Sequence, residues 1–204
     1  MISMLSVFWI MLALFATIGM LRGWAKEIIA TAGIVLALFA LTQFGDIFPA
    51  RPEFGADTTQ LQSEFAVRMI FFLGVVFFAY QTPAAAALWE ARQGASNSAR
   101  RFEWLSTGLQ QRILGFIIGL INGWLVAGSV WWYAHDLQYP FGEYVIPPSR
   151  LNQVMMALGY TDTRLQQTTT SMIDALPLAV LKADSIVLPL LVVILFLFVI
   201  VVMI

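Results

Sequence analysis

Few residues in this chain are of types that perform chemistry. The single histidine, His135, stands beside Asp136, and adjacent residues on a helix do not face each other as an acid–base pair would have to. There is no cysteine, which excludes thiol nucleophiles, zinc–thiolate sites and disulfides. No metalloprotease, phosphate-loop or serine-hydrolase motif occurs. We therefore predict a protein that is not an enzyme and that holds no metal or cofactor.

Polar groups within the apolar segments are the next candidates. Ion-coupled carriers usually place charged side chains inside the bilayer. The polar side chains in the charge-free segments are all neutral, and they include Thr17, Thr31, Gln81, Thr82, Asn122 and Ser129. We therefore expect no buried charge in the membrane helices, and we expect Asn122 to form an interhelical hydrogen bond that fixes packing. Glu64 and Arg68, spaced i and i+4, are predicted to pair at a membrane interface.

The composition places these residues in a membrane. Charged residues make up 11% of the chain, against about 25% in an average soluble domain, and the mean hydropathy is +0.81. A net charge of -1 provides no basic field for nucleic acid. The predicted surroundings are therefore the lipid bilayer, with other membrane proteins or a second copy of the chain as partners.

Five charge-free segments approach or exceed the roughly 18 residues that suggest a membrane span. They cover approximately residues 5–21, 28–44, 69–89, 113–134 and 185–204. We therefore predict an all-α, polytopic transmembrane helix bundle. Its expected parts are a four-span core at 1–135, an extracytoplasmic loop at 136–184 and a C-terminal fifth span at 185–204. The short turn at 22–27 fits either a helical hairpin or one long broken helix.

The predicted extracytoplasmic loop contains two short amphipathic patterns. Apolar residues recur at helical spacing over 151–158 and again over 165–176. The pattern leaves open whether their apolar faces lie against lipid, against the bundle or against a partner.

The distribution of cations predicts the orientation. Segments 22–27 and 90–112 hold six Lys and Arg in 29 residues, whereas 45–68 and 135–184 together hold five in 74. Because Lys and Arg near span ends are retained on the cytoplasmic side, we predict an N-terminus outside and, with five spans, a C-terminus in the cytoplasm.

One face of the fourth span carries a small residue at every fourth position. The residues are Gly115, Gly119, Gly123 and Ala127. Glycine disfavours a helix interior by about 1 kcal/mol relative to alanine, so this face is predicted to pack closely against a neighbouring helix. The candidate partner faces lie in the first two spans, with Ala13, Ala16, Gly19 and Gly23 in the first and Ala30, Gly33 and Ala37 in the second.

Two motifs resemble those of the colicin V production protein family (CvpA family). The first is G-x-x-R-G-x-x-x-E, formed by Gly19, Arg22, Gly23 and Glu27. The second is R-x-x-G-x-x-x-G-x-x-x-G, formed by Arg112, Gly115, Gly119 and Gly123, and Asn122 lies within it. The resemblance covers about residues 1–135 and implies a multi-pass protein of the bacterial inner membrane. Family members are associated with colicin V production and envelope maintenance, without an established catalytic mechanism.

The chain departs from the family pattern in two respects. Gln111 stands where an acid often precedes the arginine of the second motif, and the long outer loop and fifth span extend beyond the common four-helix core. Arg112 is predicted to anchor at lipid headgroups or to pair with an acid such as Glu27 or Glu103.

The predicted function is non-enzymatic support of toxin (bacteriocin) production or secretion, or of envelope homeostasis, through helix packing with partners. Two alternatives remain open. One is a small channel or transporter subunit, and the other is a structural subunit of a larger membrane complex.

Overall fold

The fold is built from long helices. A computed structural model describes residues 2–45, 58–93, 108–141, 145–146, 172–181 and 186–203. In this part of the chain the helices are α1 (Met4–Arg22), α2 (Trp24–Gln43), α3 (Thr58–Gln93), α4 (Gly108–Asp136), α5 (Pro177–Leu181) and α6 (Val187–Met203). The two-residue segments β1 (Ile2–Ser3) and β2 (Val145–Ile146) pair in parallel, with Ile2 opposite Val145. The predicted all-α bundle is confirmed.

Among the described residues, four helices are long and apolar enough to cross a membrane. They are Met4–Arg22, Trp24–Gln43, the Thr58–Gln81 part of α3 and Gly108–Asp136. Their length and composition indicate an integral membrane protein. The segment predicted as a fifth span forms α6, which packs along α2. Its 17 residues extend about 26 Å at 1.5 Å per residue, against about 30 Å of bilayer hydrocarbon.

Helices α1 and α3 both run antiparallel to α4. The start of α1 meets the end of α4, where the rings of Phe8 and Trp131 are 5.5 Å apart. Further along α1, Gly19 packs against Gly115 near the start of α4. Helix α2 contacts both α3 and α4, and its inner face supplies much of the apolar core. The buried apolar residues of α2 are Ala30, Ile34, Val35, Ala37, Leu38 and Leu41.

The turn between the first two helices consists of one residue. Gly23 has φ +85° and ψ 156°, a backbone conformation that residues with a Cβ rarely adopt. Its amide donates a 2.9 Å hydrogen bond to the carbonyl of Gly19, which ends α1, and α2 begins at Trp24. The chain therefore forms two separate helices here and not one continuous helix.

The helices begin earlier than the charge-free segments that predicted them. Helix α2 starts at Trp24, four residues before the expected 28, and α3 starts at Thr58, eleven before the expected 69. Glu27, Glu64 and Arg68 consequently lie within membrane-spanning helices, and all three are buried. The prediction of membrane helices without buried charge is wrong, because a charge-free segment marks only the apolar middle of a helix.

The end of the loop between α4 and α6 folds onto the bundle. Leu176, Pro177 and Leu178 are buried, and Pro177 occupies the space beside Gly128 of α4. In the described part of the second pattern, Met172, Ile173 and Leu176 pack against the bundle, which is one of the three alternatives. The amphipathic pattern predicted at 151–158, and residues 165–171 of the other, lie outside the described residues.

Candidate functional site

A buried polar cluster surrounds Glu27 in the first turn of α2. The carboxylate Oε1 accepts a 2.9 Å hydrogen bond from Arg22 Nη1. Oε2 accepts one from the Tyr80 hydroxyl at 3.0 Å and one from Asn122 Nδ2 at 2.9 Å. Glu27 and Asn122 are fully buried, and 22% of the Arg22 side-chain surface is exposed. These four residues and Thr31 form what we call the Glu27 cluster.

The Glu27 cluster joins four helices. Arg22 ends α1, Glu27 and Thr31 lie one turn apart on α2, Tyr80 belongs to α3 and Asn122 to α4. The Thr31 hydroxyl is 2.8 Å from the Glu27 carbonyl oxygen and 2.7 Å from Asn122 Oδ1, so its single proton has two acceptors. Every charged or amide group of the cluster thus has a partner on another helix.

Arg22 binds Tyr80 in two ways. Its Nη2 donates a 2.7 Å hydrogen bond to the Tyr80 carbonyl oxygen, and its guanidinium carbon lies 4.5 Å from the centroid of the Tyr80 ring. The second contact is a cation–π interaction, which gains strength where water is excluded. Gly23 makes the contact between Arg22 and Glu27 possible, because its turn lets these two residues, five positions apart in sequence, face each other.

The carboxylate lies deep in the bundle. Asn122, which binds it, is the central residue of α4, 14 positions from Gly108 and 14 from Asp136. An ionised group at such a depth is expensive unless it is paired, and Arg22 supplies the pair. The arrangement can hold a charge or a proton. Within the part of the chain described, no three His, Asp or Glu side chains are grouped to bind a metal ion.

The glycine face of α4 is covered by α1 of the same chain. A Cβ on Gly115 would overlap the carbonyl oxygen of Gly19, and a Cβ on Gly119 would overlap that of Phe15. A Cβ on Gly123 would lie 3.0 Å from the Phe15 Cβ. The two backbones therefore pack in direct contact.

Three predicted packing residues lie apart from that contact. Ala127, the fourth position of the glycine face, is half-buried against a small apolar cluster at the other end of α1. Gly33 of α2 lies against Ala79 of α3, and Ala37 is buried in the core. Gly33 of α2 thus packs on α3, and the atoms nearest to the glycine face belong to α1 and the Gly23 turn. Helix α2 is joined to α4 through the Glu27 cluster.

Arg112 and His135 are both exposed on α4 and do not belong to the Glu27 cluster. The pairing of Arg112 with Glu27 that the sequence left open is not formed, since Arg22, Tyr80 and Asn122 occupy that carboxylate. Glu103, the other suggested acid, lies outside the described residues.

A second buried ion pair lies toward the other end of α3. Arg68 Nη2 contacts Glu64 Oε1, and their side chains are only 9% and 2% exposed. The Arg68 guanidinium also lies 5.8 Å from the centroid of the Tyr133 ring in α4. The pair expected at an interface is therefore enclosed by the protein.

Tyr80 is the functional-site residue that the sequence did not indicate. It precedes Gln81 in an apolar stretch, where an aromatic side chain is ordinarily a core or lipid-facing residue. Its hydroxyl is part of the site only because it binds the Glu27 carboxylate. Glu27 lies 53 positions earlier, and no sequence spacing rule connects the two residues.

Comparisons of the chain with protein-family models, with curated proteins and with solved structures returned no match. The resemblance to the colicin V production family therefore stays a prediction based on the two motifs.

Proposed function

We propose that this protein is a multi-pass, non-enzymatic member of the CvpA type in the bacterial inner membrane. It supports bacteriocin production or secretion, or envelope homeostasis, by presenting a pre-packed helical unit to partner membrane proteins. Its N-terminus lies outside and its C-terminus lies in the cytoplasm.

One observation supports this proposal. The two motifs on which the resemblance rests meet in space, although about 90 residues separate them. Glu27 of the first motif binds Asn122 within the second, and Gly19 of the first packs on Gly115 and Gly119 of the second. If the two motifs matched the family pattern only by chance, their residues would not be expected to contact each other in one site.

Deleting the gene from the source bacterium tests the role. We expect reduced secreted bacteriocin activity or increased sensitivity to detergent, restored by a plasmid copy of the wild-type gene. A copy carrying Gly119→Ala, which breaks the α1–α4 contact, should not restore it, whereas Gly74→Ala, which meets no atom within 4 Å, should. A deletion that changes neither phenotype contradicts the proposal.

Partners are sought by copurification in mild detergent. Because α1 covers the glycine face, partners must contact the outer apolar faces, such as the one with Trp9, Ile10 and Leu14 of α1. A substoichiometric partner fits a supporting factor, and a fixed stoichiometry with several chains favours the structural subunit of a larger complex. Recovery of the protein alone contradicts both.

The orientation has its own test. Reporter fusions placed before Met4 and after Met203 should give opposite compartments, with the N-terminal reporter active outside. The same compartment for both ends contradicts the proposed five crossings.

A channel or transporter subunit is the second candidate, and the depth of Glu27 favours it. An ionisable residue buried within a membrane helix ordinarily marks an ion or substrate pathway. Glu27 binds the central residue of α4, and it is linked through Arg22 to the surface at the end of the bundle. This observation reverses the expectation from sequence that the helices hold no buried charge.

Flux into proteoliposomes separates the two candidates. With a pH-sensitive dye inside, a transporter should move protons down an imposed gradient, and Glu27→Gln should abolish the flux. Arg112→Gln, which removes an exposed charge at the same end of the bundle, is the matched control. Flux no faster than in empty liposomes eliminates proton transport.

A further inference from the structure

A pocket opens where the turn between α1 and α2 meets the first turn of α4. Its volume is about 220 Å³, and it is lined by Arg22, Gly23, Trp24, Ala25, Lys26 and Gln111. Among the described residues, the lining contains two cations and no acid, so the pocket suits an anion.

The positive charge of the pocket is only partly cancelled. Glu27 pairs with Arg22 from the buried side, and the Arg22 Nη atoms are occupied by Glu27 and the Tyr80 carbonyl. Lys26 is exposed, and its ammonium carries three donors. The pocket therefore keeps about one net positive charge, carried mainly by Lys26, with the Gln111 amide as a neutral donor.

The pocket lies at the membrane boundary of the bundle. Arg22 is the last residue of α1, and Gln111 precedes the apolar part of α4, which begins at 113. Trp24 and Lys26 are residue types enriched at the interface between hydrocarbon and water. Phosphate groups of lipids occupy this same depth, so an anion can reach the pocket from the bilayer or from water.

We propose that this pocket binds a phosphate group, either in the headgroup of an anionic phospholipid or as free phosphate. Lys26 is the main electrostatic contact, and Gln111 completes the site from α4. The site does not depend on the proposed function, because it requires only the turn between α1 and α2 and the start of α4.

Native mass spectrometry of the purified full-length protein tests the lipid source. The protein in detergent is mixed with phosphatidylglycerol or with phosphatidylcholine, and the retained lipid is counted. We expect wild type to retain phosphatidylglycerol preferentially. Lys26→Gln should weaken retention about fivefold, the value of one basic residue near an anionic surface. Arg112→Gln is the matched control for the general attraction of anionic lipid, because Arg112 is exposed at the same end but does not line the pocket. It should weaken retention less than Lys26→Gln.

Equilibrium dialysis of inorganic phosphate against the protein in phospholipid-free detergent tests the other source. Phosphate binding that Lys26→Gln weakens identifies free phosphate as a ligand. Lipid preference without phosphate binding identifies the headgroup. Gln111→Glu, which adds a negative charge from α4, should reduce binding independently of Lys26. The proposal is overturned if both lipids are retained equally and phosphate does not bind, or if Arg112→Gln weakens binding as much as Lys26→Gln.

Discussion

The side-chain amide of Asn122 donates hydrogen bonds to both the carboxylate and the main-chain carbonyl of Glu27. The distances are 2.9 Å to Oε2 and 3.1 Å to the carbonyl oxygen. One side chain of α4 thereby fixes both the position and the rotation of the first turn of α2. The contact is polar, which sets it apart from the surrounding apolar packing, and it occurs where no water is available to replace a lost partner.

Replacing Asn122 should destabilise the bundle more than replacing another buried polar residue of α4. Asn122→Leu leaves the Glu27 carboxylate and carbonyl short of a donor, and we expect a loss of about 1–3 kcal/mol in the free energy of unfolding. Ser129→Ala is the matched control, since Ser129 is fully buried and its hydroxyl has no hydrogen-bond partner among the described residues. Unfolding by SDS in mixed micelles measures the free energy of unfolding of both variants. Equal losses would mean that the Asn122 hydrogen bonds contribute nothing specific.

Arg22 and Glu27 should show strong energetic coupling. Arg22→Met leaves a buried carboxylate without its counter-ion, and because Arg22 is partly exposed we expect a loss of about 2–3 kcal/mol. Arg22→Met combined with Glu27→Gln removes both charges and should recover at least about 1 kcal/mol of that loss. The double-mutant cycle, measured by the same SDS unfolding, isolates this term. Additive losses would show that the pair is not an ionic contact in the membrane.

The glycine spacing and the hydropathy of this chain were sufficient to predict an all-α membrane bundle and a close helix contact on α4. They did not reveal that α1 covers that face, because the small residues of α2 have a similar spacing. In the structure Gly33 of α2 lies against Ala79 of α3 instead. The Glu27 cluster was missed for a related reason. Its members come from four helices. In addition, the charge-free segments placed Glu27 in a turn, whereas α2 begins at Trp24, three residues earlier.

The contact between α1 and α4 should be intolerant of a single methyl group. Gly119→Ala drives a Cβ into the carbonyl oxygen of Phe15, and backbone cannot move aside cheaply. We expect a loss of about 1–3 kcal/mol, the usual range for overpacking. Gly74→Ala in α3 meets no atom within 4 Å and should be neutral or stabilising by up to about 1 kcal/mol through helix propensity. Thermal unfolding in detergent measures the stability of both variants. Similar unfolding midpoints for Gly119→Ala and Gly74→Ala would rule out the tight contact.

Tyr139 should make the protein less stable at alkaline pH. The residue lies just after α4, its hydroxyl accepts a 3.3 Å hydrogen bond from Trp131 Nε1, and burial raises its pKa above the ordinary value of 10.0. The folded state therefore keeps the phenol proton that the unfolded state releases, so stability is complete below about pH 10 and falls as the pH rises further. Tyr139→Phe removes this slope. Unfolding free energies of both proteins between about pH 9 and 11 should diverge in that direction, and parallel curves would contradict the assigned burial.

The packing of α2 on α3 can be tested by exchanging a methyl group between two residues. Gly33 lies against the side chain of Ala79, and a Cβ on Gly33 would overlap the Ala79 Cβ. Gly33→Ala alone should therefore destabilise the bundle by about 1–3 kcal/mol.

The second substitution provides the rescue. Ala79→Gly alone should lower stability by about 1 kcal/mol through helix propensity, with a further contribution from the contact it removes. In the Gly33→Ala/Ala79→Gly double variant the new methyl group occupies the space of the old one, so the loss should be smaller than the sum of the two single losses by at least about 1 kcal/mol. SDS unfolding of the four proteins completes the cycle. Strict additivity would place Gly33 and Ala79 out of contact, because only a shared space makes one methyl group compensate for another.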